Sequence, residues 1–114
     1  VESYKIYSAI AEFENGVTSK DIYNIEKLKT IDQRTPIRVE HRRADLIRTR
    51  EIKNIEVERI NSKKLHLIIK CQGGLYIKEL ISGDNNRTKP SVSSITNNQA
   101  ECTQLDVLKV HIPE

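Results

Sequence analysis

Two adjoining stretches decide the fold class: Leu46-Ile47-Arg48-Thr49-Arg50-Glu51-Ile52-Lys53-Asn54-Ile55-Glu56-Val57-Glu58-Arg59-Ile60 and Leu65-His66-Leu67-Ile68-Ile69-Lys70-Cys71. In the first, Ile55, Val57 and Ile47 fall on one face of an extended chain with charged residues opposite, the period of a half-buried strand. The second is a β-branched and leucine-rich run, and Asn61-Ser62 between them is a turn signal, so the pair reads as a hairpin.

Toward the N-terminus, Tyr4 to Phe13 is another strand-like run, closed by the turn dipeptide Asn15-Gly16. Thr18 and Ser19 are N-cap types, Asp21 suits a first helical turn, and Ile22, Ile25 and Leu28 recur at helical spacing. This predicts a short amphipathic helix of about three turns. Pro36 forces Thr35 to be extended, and the odd–even pair Ile37 and Val39 suggests a short strand. After the flexible Gly73-Gly74, residues Ile77, Leu80 and Ile81 recur at i, i+3, i+4, and Gly83 stops that helix. Asp84 to Pro90 reads as a polar loop, Ser91 to Ile95 as one or two helical turns, and Cys102 to Ile112 as a final strand. The order is β-α-β-β-β-α-(α)-β, an α+β domain whose mixed sheet is mostly antiparallel.

Composition narrows the function. The 114 residues fit one domain, and no apolar run approaches the roughly 18 residues of a membrane helix. Cys71 and Cys102 form no CxxC pair and read as reduced thiols of a cytoplasmic chain. His41, His66 and His111 stand singly, so no metal site is expected, and no GxSxG, Walker A or dinucleotide fingerprint occurs. The net charge of +3 is unevenly spread: from 34 to 50, Arg34, Arg38, Arg42, Arg43, Arg48 and Arg50 face only Glu40 and Asp45, a balance of 6 − 2 = +4. Arginine forks bind phosphate bidentately and stack on bases, so the segment suits an anionic polymer; a solvated strand face with i, i+2 spacing explains the same charges. Arg87 and Lys89 add two bases in the polar loop. Among the five aspartates, Asp21 suits a helix start, Asp32 and Asp84 loops, Asp45 a partner for the arginines, and Asp106 an exposed strand position. The residues alone support an RNA- or DNA-binding domain.

Three motifs go further: Gln33-Arg34-Thr35-Pro36-Ile37-Arg38-Val39-Glu40-His41-Arg42-Arg43-Ala44-Asp45, Gly74-Leu75-Tyr76-Ile77-Lys78-Glu79-Leu80-Ile81-Ser82-Gly83-Asp84, and Arg87-Thr88-Lys89-Pro90. Together they closely resemble the tRNA pseudouridine synthases of archaea and eukaryotes that act in the TΨC arm, at uridines 54 and/or 55. The resemblance runs from about Lys5 to Val110. It implies a cofactor-free isomerase whose partner is tRNA: the uridine is flipped out, an aspartate carboxylate attacks, and the base is detached, turned and rejoined through carbon. Lys5-Ile6-Tyr7 matches the family's Lys-x-Tyr motif, making Tyr7 a stacking candidate, and Tyr76 of Gly-x-Tyr-Ile-Lys resembles a second substrate contact. Lys78 corresponds to the basic residue that pairs with the catalytic carboxylate, where many relatives carry arginine. Arg34, Arg38, Arg42, Arg43, Arg48, Arg50, Arg87 and Lys89 are then tRNA-phosphate candidates.

The family's nucleophilic aspartate sits in a Gly-Arg-x-Asp loop ahead of the tyrosine strand, whereas no aspartate here precedes Asp21. With no methionine and a strand-like start close behind Val1, residues 1–114 are expected to be the C-terminal portion of the catalytic domain, inactive alone. The upstream aspartate-bearing part and an N-terminal RNA-binding domain would lie elsewhere. A stand-alone, non-catalytic RNA-binding module is the alternative.

Overall fold

The computed structural model describes residues 3–113, so Val1 lies outside the described residues. Its sheet is built from β1 (Tyr4–Phe13), β2 (Thr30–Arg34), β3 (Ile47–Asn61), β4 (Lys64–Gln72), β5 (Thr88–Lys89) and β6 (Ala100–His111). Three helices, α1 (Ser19–Glu26), α2 (Ile77–Ser82) and α3 (Val92–Thr96), pack on one face of it. The strand order is β5-β2-β3-β4-β1-β6 and every neighbouring pair is antiparallel, so the α+β class holds while the sheet is not mixed.

Alternation sets the layers. On β1, Tyr7, Ala9, Ala11 and Phe13 are buried, and the two alanines leave room for helices to approach. They meet Leu65, Leu67, Ile69 and Cys71 of β4, Ile25 of α1, Ile77, Leu80 and Ile81 of α2, and Val92 of α3 in one core. Helix α1 starts with a capping box: Asp21 donates its amide to Thr18 Oγ1 at 3.1 Å, and Thr18 donates its amide to the Asp21 carboxylate at 2.9 Å. It runs 8 residues, nearer two turns than three, because Leu28 leaves helical geometry to enter the core ahead of β2. Gly83, at φ 87°, ends α2 in the left-handed region as the sequence predicts.

Three expectations are corrected. Ile37 and Val39 form no strand but a 3₁₀ turn, and the strand lies ahead of Pro36 as β2. Pro36 has no N–H for a ladder, and the Ile37 amide donates instead to the Asp84 carboxylate at 3.1 Å. The polar loop from Asp84 contains the two-residue strand β5, which pairs with Asp32 and Gln33. Last, Ile47 does not share a face with Ile55 and Val57: a register shift between Ile52 and Asn54 reverses the parity of β3. Ile47 is 71% exposed, while Arg48, Arg50 and Ile52 turn toward the helical side.

Candidate nucleic-acid interface

Directly paired residues of antiparallel strands share a face, so the register places side chains in rows. Val107, Tyr7, Ile69 and Ile55 form one row of the helical face; Val110, Lys5, Cys71 and Ile52 form the next. Beyond them come Arg50 beside Ile31, and then Arg48, Gln33 and Thr88. One end of the face thus carries Lys5, Tyr7, Arg50 and Arg48 together.

Tyr7 is 9% exposed and belongs to the core, with Val107, 56% exposed, on its open side. Burial, and after it the neighbouring Cys71, raises the pKa of its phenol, which keeps the hydroxyl a donor. Lys78, exposed in the first turn of α2, lines a cavity of about 260 Å³ with Cys102, Thr103, Gln104 and Leu105. Leu105 pairs with Ala9 and Val107 with Tyr7, so the stretch of β6 that Lys78 approaches ends two residues from the partner of Tyr7. Tyr76 is the N-cap of α2; the Arg38 guanidinium carbon lies 5.6 Å from its ring centroid. Tyr76 and Lys78 thus sit at the start of α2, which packs against β6, and Tyr7 lies on β1, the strand paired with β6.

The basic candidates divide by what holds them. Arg34 grips Asp45 with two hydrogen bonds, Nε at 2.9 Å and Nη2 at 2.7 Å, and this holds the Asp45 carboxyl below its usual pKa. Arg38 binds the Glu79 carboxylate at 2.8 and 3.3 Å, and Glu79 is buried. The Arg87 side chain, 13% exposed, donates from Nε and Nη2 to the Thr35 carbonyl, with Asp84, Glu40 and Asp45 at 3.7–3.8 Å. Arg50 tucks against Gly74, whose φ of 91° and missing Cβ make room: a Cβ there would lie 3.0 Å from Arg50 Nε. That Nε is buried without a hydrogen-bond partner among the described residues, and Nη1 donates to the Thr49 carbonyl. Arg48 is half-buried, 3.4 Å from the Thr35 hydroxyl. Arg42, Arg43 and Lys89 are exposed, and their side chains make no hydrogen bond or ion pair to the described residues.

The loop between β2 and β3 explains this division. The Thr35 amide bonds the Leu46 carbonyl at 2.9 Å, the Thr35 hydroxyl accepts from the Leu46 amide at 3.1 Å, and Arg34–Asp45 clips the same base. A loop closed so tightly projects Arg42 and Arg43 outward. Sequence reasoning did not single out Gln33, Thr35 or Glu79, all buried. The readable signal for Gln33 was its i, i+2 spacing from buried Ile31, a polar residue at a core position of β2.

None of the five aspartates faces Tyr7: Asp21 caps α1, Asp45 holds Arg34, and Asp84 accepts from Ile37. Asp32 accepts from the Thr49 hydroxyl, and Asp106 pairs with Ser8 on the opposite face of the sheet. Among the described residues no three His, Cys, Asp or Glu side chains are placed to hold a metal ion, and no helix is long and apolar enough to cross a membrane.

A family model described as "Pus10, C-terminal" matches residues 1–111. The chain belongs to this family. Proteins named tRNA pseudouridine synthase Pus10 are similar throughout: that of Methanothermobacter marburgensis is 55% identical over 112 residues, 98% of this chain and 28% of the relative. That of Methanocaldococcus jannaschii is 48% identical over 110 residues, 94% of this chain and 24% of its own. That of Pyrococcus furiosus is 48% identical over 109 residues, 93% and 28%. The chain therefore spans less than a third of the length of these relatives. Among solved structures, a chain of a Cbf5-Nop10-Gar1 complex superposes with a TM-score of 0.76 at 23% identity, covering 94% of this chain and 30% of that one. A chain of an H/ACA ribonucleoprotein bound to a substrate RNA gives 0.69 at 18%, covering 93% and 28%. At such identities the likeness establishes the fold of the chain and no more.

Proposed function

We propose that these residues form the C-terminal portion of the catalytic domain of a tRNA pseudouridine synthase that isomerises uridine in the TΨC arm. The reading is supported by the placement of Tyr76 and Lys78 at the start of α2, where Lys78 lines a cavity with Leu105 two residues from the β6 partner of Tyr7, in a chain whose relatives are named tRNA pseudouridine synthase. In the reaction, the flipped uridine costs a few kcal/mol to unstack, offset by pocket contacts from Tyr7 and Tyr76. Lys78 pairs with the nucleophilic carboxylate and keeps it ionised. That carboxylate comes from outside these 114 residues, since none of the five aspartates faces Tyr7. Alone, the chain would bind RNA and not isomerise it, which coincides with the reading as a non-catalytic module.

Arg42, Arg43 and Lys89, exposed and without side-chain partners among the described residues, serve as the leading phosphate contacts, with Arg48 and Arg50 on the same face of the sheet as Tyr7. Arg34, Arg38 and Arg87 support the loop that presents them. Tritium release from tRNA labelled at carbon five of uridine tests the activity directly. The enzyme carrying this chain should release one tritium per pseudouridine formed in the TΨC arm; release from other arms only, or none, rejects the reading.

A further inference from the structure

Gln33 holds the main chain of Tyr76 from both sides. The Tyr76 amide donates to Gln33 Oε1 at 2.9 Å, and Gln33 Nε2 donates to the Tyr76 carbonyl at 3.0 Å, across 43 residues of sequence. The second Nε2 hydrogen goes to Thr88 Oγ1 at 3.1 Å. Gln33 is 3% exposed and Thr88 1%. In a sheet, a neighbouring strand's backbone would supply such a two-point bond; here no strand faces Tyr76, and one amide side chain does the work. Its orientation is fixed, because the reversed amide would set N–H against N–H and oxygen against oxygen. The Tyr76 carbonyl also accepts the first helical bond of α2, from the Leu80 amide at 3.0 Å, so the clamp reaches the turn that carries Lys78. The Tyr76 ring is approached from the same segment by Arg38, itself braced by Glu79.

We propose that Gln33 is a positioning residue for the isomerisation: it sets Tyr76, and through the first turn of α2 also Lys78, in the geometry that the flipped base meets. This rests on the reading of Tyr76 as a substrate contact. Gln33 touches no reacting atom. Its effect belongs to catalytic geometry, where displacements near 1 Å can cost about a hundredfold in rate.

The test uses the whole enzyme carrying this chain, with turnover measured by tritium release across tRNA concentrations. Gln33→Met keeps the length and removes every hydrogen bond. It should lower kcat by about 10- to 100-fold and change KM for tRNA by less than about threefold. Gln33→Glu still accepts from the Tyr76 amide but, ionised, sets a charge against the Tyr76 carbonyl; protonated, it regains a donor. Burial raises the pKa of such a carboxyl, so this variant should regain activity relative to wild type as pH falls from 8 to 6. A well-folded Gln33→Met with wild-type kcat overturns the inference, and so does a Gln33→Glu defect that does not vary with pH. If Gln33→Met does not fold, the pH profile of Gln33→Glu decides alone. Tyr76→Leu separates the layers: normal turnover in it removes the reading of Tyr76 and the inference together. A defect there with unaffected Gln33 variants removes only the role of Gln33.

Discussion

The Glu79 carboxylate, buried in the first turn of α2, takes both Nε and Nη2 of Arg38 from the 3₁₀ turn 41 residues earlier. The pair is asymmetric, with side-chain exposures of 49% for Arg38 and 7% for Glu79. Removing the arginine strands a charge in the interior, whereas Glu79→Gln leaves a neutral group that can still hydrogen-bond. Arg38→Met should therefore cost about 2–3 kcal/mol and Glu79→Gln about 1 kcal/mol, read from urea unfolding of the chain. Equal costs would show that the Arg38 charge is not what holds the turn to α2.

The loop from Pro36 to Asp45 predicts a separation of binding from stability. Replacing Arg42 and Arg43 together by alanine should leave the melting temperature nearly unchanged. It should weaken tRNA binding and flatten the plot of log affinity against log salt by about 1.4–1.8, the contribution of two phosphate contacts. Arg87→Ala should instead cost about 2–3 kcal/mol of stability, because the Thr35 carbonyl and three carboxylates lose their cation. Fluorescence anisotropy at four salt concentrations, with thermal melts alongside, distinguishes the two outcomes.

At the pocket, Tyr7→Leu removes a ring whose stacking on a base is worth roughly 1–3 kcal/mol. In the enzyme carrying this chain it should slow isomerisation more than it weakens tRNA binding. Lys78 is exposed, so Lys78→Ala should leave stability within about 0.5 kcal/mol of wild type while turnover falls at least about tenfold. Near-normal single-turnover rates in either variant would remove that residue from the site.

The two thiols should differ in reactivity and in their effect at alkaline pH. Burial pushes the Cys71 thiol from 9.0 up to about 11, partly opposed by Lys5. At pH 8 iodoacetamide should label half-buried Cys102 and spare Cys71 until the chain unfolds. A pKa raised by folding gives stability that is complete below the unfolded value and is lost as pH rises through the folded one. The window here runs from about pH 9 to about 11, with a total on the order of 2–3 kcal/mol. Chemical unfolding across that range should show a decline that Cys71→Ala reduces; an identical slope in both proteins would remove Cys71 as its source.

Strands and helices were legible where the signal is local. Period-two burial on β1 and β4, the Thr18–Asp21 box and the Gly83 stop each lie within a few residues of the element they specify. The motifs around Pro36 and Tyr76 likewise marked the family. What the chain could not announce was pairing at a distance. The parity of Ile47 depends on a bulge set by the partner strand, and the turn at Ile37 on a carboxylate 47 residues away.

The arginine segment shows the same boundary. That six arginines crowd into 17 positions with a local charge of +4 is legible from local composition and independent of conformation. Which of them are engaged depends on how the chain folds. Arg34 and Arg38 are taken by Asp45 and Glu79, while Arg42 and Arg43 are held out by a loop that the Arg34–Asp45 pair and the Thr35–Leu46 bonds close and that Arg87, from outside the segment, braces at the Thr35 carbonyl. Charge adds along a chain whatever its shape, whereas an ion pair or hydrogen bond exists only where folding brings two groups within about 3 Å.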